Sequence, residues 1–175
     1  MSREDRREQI LDAAAHVVAQ VGLAGASTDV IAREAGVSQP YVVRTFGGKQ
    51  PLIDAVFSRM RDRVVGTFAD APLDGSAVEC MGEAYVRLVR DRDTLLVLLH
   101  AFAASGDPRI GEVTRDCMRR VFEIVAGRFG DDAEAAAFVG QGMLINVLLA
   151  MDAENHPDLA RLVTASAALP GAAGS

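Results

Sequence analysis

The stretch Thr28–Lys49, TDVIAREAGVSQPYVVRTFGGK, decides the fold. Its apolar residues fall at helical spacing on either side of a single glycine. Ile31 and Ala32 are expected on the inner face of a first short helix, Gly36 at the turn, and Val37 and Val42 closing the packing from a second. Ala32 is small because the two helices cross there. Gly36 supplies a left-handed backbone conformation at little steric cost. Two helices of this length over such a turn form a helix-turn-helix, whose second helix can lie in the major groove of DNA.

Upstream, Arg3 to Val21 reads as one amphipathic helix, with Ile10, Leu11, Ala14, Val17, Val18 and Val21 on one face and Gly22 and Gly25 ending it. Ser27 or Thr28 is expected to cap the next helix, with Asp29 well placed in its first turn. Ser38 or Gln39 then opens the second motif helix. Pro40 is tolerated there because a first-turn N–H has no intrahelical partner. Gly47-Gly48 breaks the chain again, and Pro51 marks the first turn of a longer helix running towards Phe68. Beyond Ala71-Pro72 the spacing predicts helices at about 75–91, 93–105, 108–129, 132–152 and 157–168. Asp107-Pro108 and His156-Pro157 are helix starts, and the tail PGAAGS is expected to be disordered. With no strand pattern of useful length and no internal repeat, the expectation is an all-α chain of about nine helices.

Composition agrees. The 175 residues are 50% apolar but only 5% aromatic, without Trp, so the core leans on Ala, Val and Leu, which suits closely packed helices. Cys80 and Cys117 follow no metal or disulfide spacing and read as reduced, buried thiols of a cytoplasmic protein. No secretory signal is read after MSREDRREQ, because the apolar positions are helically spaced and no cleavage site follows. The net charge of −6 looks unsuited to DNA until it is resolved along the chain. Residues 1–49 balance six basic against six acidic side chains, and the negative excess lies beyond residue 66. That distribution opposes a long basic patch but permits a short groove-reading helix. Residues 135–151, AAAFVGQGMLINVLLAM, carry no charge, yet the run is short for a membrane span and holds Gln141 and Asn146. Its small residues, Ala135–Ala137, Gly140 and Gly142, suit close helix–helix approach at a subunit interface.

The order REQILDAAAHVVAQVG followed by ASTDVIAREAGVSQPYVVRTFGGKQPLIDAV resembles the N-terminal signature of the tetracycline-repressor (TetR) family of bacterial regulators. Ile10, Leu11, Ala13, Ala14, Gly22, Thr28, Ile31, Ala32, Ala35, Gly36, Val37, Ser38, Phe46, Lys49 and Leu52 carry it, over about the first third of the chain. Two positions depart from the pattern: Val43 stands where the family usually has an aromatic, and Thr45 where it has His or Tyr. The resemblance implies a three-helix DNA-binding head, residues 1–48, on an effector-binding and dimerisation body, residues 49–175. It implies a homodimer paired through the helices at about 132–152 and 157–168, and therefore a palindromic double-stranded DNA operator. Its expected mechanism is repression, relieved when a small apolar effector favours the DNA-incompetent state.

On that resemblance Thr28, Arg33, Ser38, Gln39, Pro40, Tyr41, Arg44, Thr45 and Lys49 are the DNA-binding candidates. Thr28 can offer its hydroxyl to a phosphate, or act as an ordinary helix cap. Gln39 can pair with adenine, Tyr41 can pack on a thymine methyl or bond a phosphate, and Arg44 can read guanine or hold a phosphate. Thr45 can offer a hydroxyl to phosphate, and Tyr41 can take over part of the role that Val43 lacks. Lys49 is the chain's single lysine, standing at the family's lysine position, and suits a phosphate contact.

In the body His100 stands inside the apolar run LLVLLHAFAA, either as a satisfied core or interface histidine or as a polar contact to an effector. Tyr85, Leu88, Leu96, Leu99, Thr114, Cys117, Met118 and Val121 are the candidate walls of that pocket, each equally readable as core. No catalytic arrangement, metal cluster, Gly-rich phosphate loop or cofactor motif is present in the sequence, so an enzyme is not expected. Asp91 and Asp93 beside Arg90 and Arg92 read as a charged interhelical turn. Two alternatives stand beside the main expectation: a DNA-binding dimer without an effector, and a helical ligand-binding protein or enzyme with a vestigial head.

Overall fold

The computed structural model describes residues 2–72 and 77–167. Among these residues there are nine α-helices and no strand. They are α1 (Arg3–Gly25), α2 (Thr28–Glu34), α3 (Gln39–Phe46), α4 (Lys49–Ala69), α5 (Ala77–Val89), α6 (Arg92–Ala103), α7 (Pro108–Phe129), α8 (Asp132–Ala150) and α9 (Ala160–Ala167). Two single 3-10 turns, Ala153–Asn155 and Pro157–Leu159, precede α9, so the helix expected from residue 157 begins three residues later. The expected start near residue 75, the end near 168 and the PGAAGS tail lie outside the described residues.

The chain divides into two compact units. The first comprises residues 1–61 and 96–114, the second residues 62–95 and 115–175. In the first, Ile10, Ala14, Val18, Ile31, Val42, Leu52 and Phe57 are fully buried and form the core around which α1, α2 and α3 pack. The expected glycine stop at the end of α1 takes a different form. Gly22 has φ 67 and ψ 178 and kinks the helix, which then resumes to Gly25. At that kink a β-carbon on residue 22 would sit 3.4 Å from Cε1 of His100, so the imidazole lies directly against the Gly22 backbone. Arg59 on α4 ties itself to α1 through Asp12 at 2.9 Å and Glu8 at 3.1 Å.

The second unit is built around an aromatic cluster. Phe68 stacks on Tyr85 at a centroid distance of 5.3 Å and meets Phe138 edge-on at 6.3 Å, and Phe138 also contacts Phe129 at 5.4 Å. Gly142 lets α8 approach this cluster, since a β-carbon there would lie 3.3 Å from Tyr85 Cε1. Cys117 is buried as expected, whereas Cys80 is only half-buried.

Four of the described α-helices, α1, α4, α8 and α9, end without a basic residue in their last turn, and the first three borrow one from a distant part of their own unit. Lys49 Nζ donates to the Leu23 carbonyl at 2.7 Å at the end of α1. Arg128 donates to the carbonyls of Ala69, Ala71 and Pro72 after α4. Arg92 reaches those of Leu149 and Ala150 at the end of α8. Terminal carbonyls have no intrahelical donor, so a cation there satisfies both hydrogen bonding and the helix dipole.

The charged turn expected around Asp91 forms at the head of α6. The Asp91 carboxylate accepts from the Asp93 amide, from Thr94 Oγ1 at 2.8 Å and from Arg63 Nη1 at 3.2 Å. Burial acts to raise its pKa, but the Thr94 hydrogen bonds and the Arg63 charge outweigh it and hold the carboxyl below its ordinary value. A depressed carboxylate stabilises the fold above its unfolded pKa of about 3.9, and that contribution is lost as pH falls through the folded value. Asp91→Asn should therefore lower the unfolding free energy measured by urea titration at pH 7, by no more than about 1 kcal/mol because the pair is half exposed. The difference from the unsubstituted protein should shrink steadily below pH 4.

Candidate nucleic-acid interface

The turn forms as the sequence predicts. Gly36 has φ 63, with its amide bonded to the Arg33 carbonyl and the Val37 amide to that of Ala32. Ile31, Ala32 and Val42 are buried, while Val37 is half-buried. Ser27, not Thr28, is the N-cap of α2, its hydroxyl accepting from the Val30 amide at 3.2 Å. Ser38 precedes α3 without a side-chain cap, and Gly47 ends α3 at φ 87.

On this scaffold α3 exposes Pro40, Val43 and Arg44, with Gln39, Tyr41 and Thr45 half-buried beside them. Several of these groups are engaged within the head. Gln39 Nε2 donates to Thr28 Oγ1 at 3.1 Å, joining the two motif helices. Arg44 lies over the Tyr41 ring at 5.2 Å, and Arg7 of α1 over the Phe46 ring at 5.0 Å, both in cation–π range. Gln9 Nε2 donates to the Ala35 carbonyl at 2.9 Å, tying α1 to the turn.

Three further candidates also hold partners within the chain. The Thr45 hydroxyl donates to the Tyr41 carbonyl one turn back at 2.8 Å, so its proton is committed and only acceptor capacity faces outward. Arg33 pairs with Asp29 on its own helix at 3.0 Å, with both side chains well exposed. Lys49 is exposed, but its ammonium caps α1. An ammonium has three donors, so the cap leaves donors for a phosphate while fixing where they stand. No motif carries this cap, because Leu23 and Lys49 are joined through space.

The candidate effector residues fall into two groups. Tyr85, Leu88, Cys117, Met118 and Val121 lie in the second unit, and Leu96, Leu99, His100 and Thr114 in the first. Thr114 is already bonded to the Ile110 carbonyl and to Ser105 Oγ at 2.8 Å. Tyr85 is the best-defined polar member. Its hydroxyl and the fully buried Asn146 amide exchange hydrogen bonds of 2.9 and 2.7 Å. Spacing in the sequence does not pair Asn146 with Tyr85, although a lone Asn in an uncharged apolar helix signals a buried polar partner. Burial, partly offset by the Asn146 hydrogen bond and reinforced by Cys117, pushes the Tyr85 phenol up to about 12. Among the described residues no cluster of His, Cys, Asp and Glu could hold a metal ion.

The fold and this site define a helix-turn-helix protein whose small N-terminal motif is joined to a larger set of helices. Residues 10–56, which include α2 and α3, match the family model "Bacterial regulatory proteins, tetR family". The HTH-type transcriptional regulator BetI of Paraburkholderia phytofirmans is 43% identical over 53 residues, which is 30% of this chain but only 27% of BetI. The HTH-type transcriptional activator FasR of Mycolicibacterium smegmatis is 26% identical over 82% of this chain and 69% of FasR. A TetR-like transcriptional regulator from Rhodococcus sp. RHA1 superposes with a TM-score of 0.73 at 26% identity, covering 87% of each chain.

Two substitutions probe these contacts. Tyr85→Phe strands the Asn146 amide and should cost about 1–3 kcal/mol in chemical denaturation at neutral pH. In the unsubstituted protein the raised phenol stabilises fully below its unfolded pKa near 10, and that contribution disappears as pH rises towards 12. Lys49→Ala removes the α1 cap and should lower stability by about 0.3–1 kcal/mol without any DNA present, as read by urea unfolding.

Proposed function

We propose that the chain is a sequence-specific DNA-binding regulator that acts in the cytoplasm as a homodimer on a palindromic operator. The observation that carries this reading is α3. It stands on a tightly built turn, exposes Pro40, Val43 and Arg44, and keeps Gln39 and Tyr41 at its N-terminal end. Residues 1–48 would be the head and 49–175 the body. Gln39 and Tyr41 would meet base edges, while Arg44 and Lys49 would hold phosphates. Arg33 would exchange Asp29 for a phosphate, and Ser38, which makes no side-chain cap, would present its hydroxyl beside the groove.

The dimer is supported by α8. Ala136, Ala137, Gly140, Val147 and Met151 line its exposed side, with Val147 46% and Met151 56% accessible in the single chain. The helix is long and apolar enough to cross a membrane by length and composition, but it buries Asn146 against Tyr85 and presents small residues outward. Such a stripe fits a second copy of itself about a two-fold axis. Repression relieved by a small apolar effector follows from the family resemblance. FasR is an activator by name, so activation is the second reading.

The decisive experiment selects bound sequences from random duplex DNA with the full chain. Recovery of an inverted repeat is expected, and retention of no duplex at low salt would refute the reading. Gln39→Ala should alter preference at one position of each half-site. Val147→Glu should convert dimer to monomer by sedimentation, and an unchanged mass would remove α8 from the interface. A reporter assay with the selected operator separates repression from activation. A thermal-shift screen tests the effector, since a ligand bound at a hundred times its Kd stabilises by about 2.7 kcal/mol.

A further inference from the structure

We propose that Thr28 is a specificity-determining residue: its hydroxyl relays between a backbone phosphate and the base-reading amide of Gln39. The inference rests on the reading of α3 as the groove-entering helix and adds a coupling that this reading does not contain. Gln39 opens α3 and Thr28 opens α2, so the 3.1 Å bond from Gln39 Nε2 to Thr28 Oγ1 spans the two helices of the motif. Both side chains are half-buried, which restrains their rotamers.

The hydrogen-bond inventory makes the bond directional. A primary amide has two N–H donors and one carbonyl oxygen. Thr28 takes one N–H, and neither group has any other side-chain hydrogen bond among the described residues. One N–H and Oε1 of Gln39 therefore remain, a donor beside an acceptor, which is the complement of adenine N7 and N6 in the major groove. The Thr28 hydroxyl accepts from Gln39 and keeps its own proton to donate, and the group it would meet outside the head is a phosphate oxygen. Ser27 does the capping of α2, so Thr28 is not needed for that task. Phosphate seating at Thr28 polarises and fixes the hydroxyl that orients the Gln39 amide. A contact that would normally be blind to sequence thereby sharpens a base preference.

The test uses the full chain on the inverted repeat recovered by selection, with all four base pairs placed in turn at the position that Gln39→Ala identifies. Thr28→Val removes the hydroxyl and keeps the shape. It should reduce the preference for the selected base at that position by about fivefold, the worth of one hydrogen bond, and leave other positions unchanged. Thr28→Ser restores the hydroxyl and should restore the preference. Thr28→Val added to Gln39→Ala should reduce discrimination no further, since both act through one amide. Uniform weakening across all four base pairs by Thr28→Val, with discrimination intact, would make Thr28 a phosphate contact alone and overturn the relay. Failure of the unsubstituted chain to retain any duplex at low salt would instead remove the DNA-binding reading, and the relay with it.

Discussion

The structure depends on what happens at the ends of its helices. Each helix end carries carbonyls that the helix itself cannot satisfy. In a chain of short connections those carbonyls lie where neighbouring elements must pack. Here α1, α4 and α8 lack a basic residue in their own last turns, and Lys49, Arg128 and Arg92 supply the missing charge from residues 25 to 59 positions away. Each cap ties the end of one helix to the start or the last turn of another. The individual energies are modest, yet the bonds choose a single register for each pair of helices, which apolar packing between small side chains would leave loosely defined.

The same economy shapes the face proposed to read DNA. Thr28, Arg33, Gln39, Arg44, Thr45 and Lys49 all have intramolecular partners before any DNA is met. Such contacts reduce the side-chain entropy lost on binding, which works in favour of affinity. They also demand exchange wherever a partner must be given up, as with the Arg33–Asp29 pair. On the proposed reading the head combines groups already aimed, such as Gln39, with groups that would have to be released. The zero net charge of residues 1–49 fits this arrangement, because the positive side chains are offset locally by carboxylates.

How much of this could be read in the sequence follows from the range of each interaction. The motif was legible because Ile31, Ala32, Gly36 and Val42 lie within twelve residues of one another, and periodicity plus one left-handed glycine determine their arrangement. Helix α7 was placed to the residue because Asp107-Pro108 marks its start in local chemistry. Gly22 reads as a stop because a glycine cannot announce whether the helix resumes beyond it. The cap that Lys49 places on α1 is not legible, because its bond to Leu23 spans 26 residues and leaves no trace in spacing. The effector candidates follow apolar periodicity, which identifies a buried face without saying which unit buries it. Asn146 was visible as an oddity but not as a partner of Tyr85, 61 residues away.

The exposed apolar side of α8 has a consequence for how the protein is made. Synthesis proceeds from the N-terminus at about 5–20 residues per second, so Asp132–Ala150 leaves the ribosome after the first seven helices. Phe68 and Tyr85, which its inner face meets, have then already been made and can receive that face as soon as it emerges. The order of the chain shortens the interval in which this apolar helix is bare on both sides.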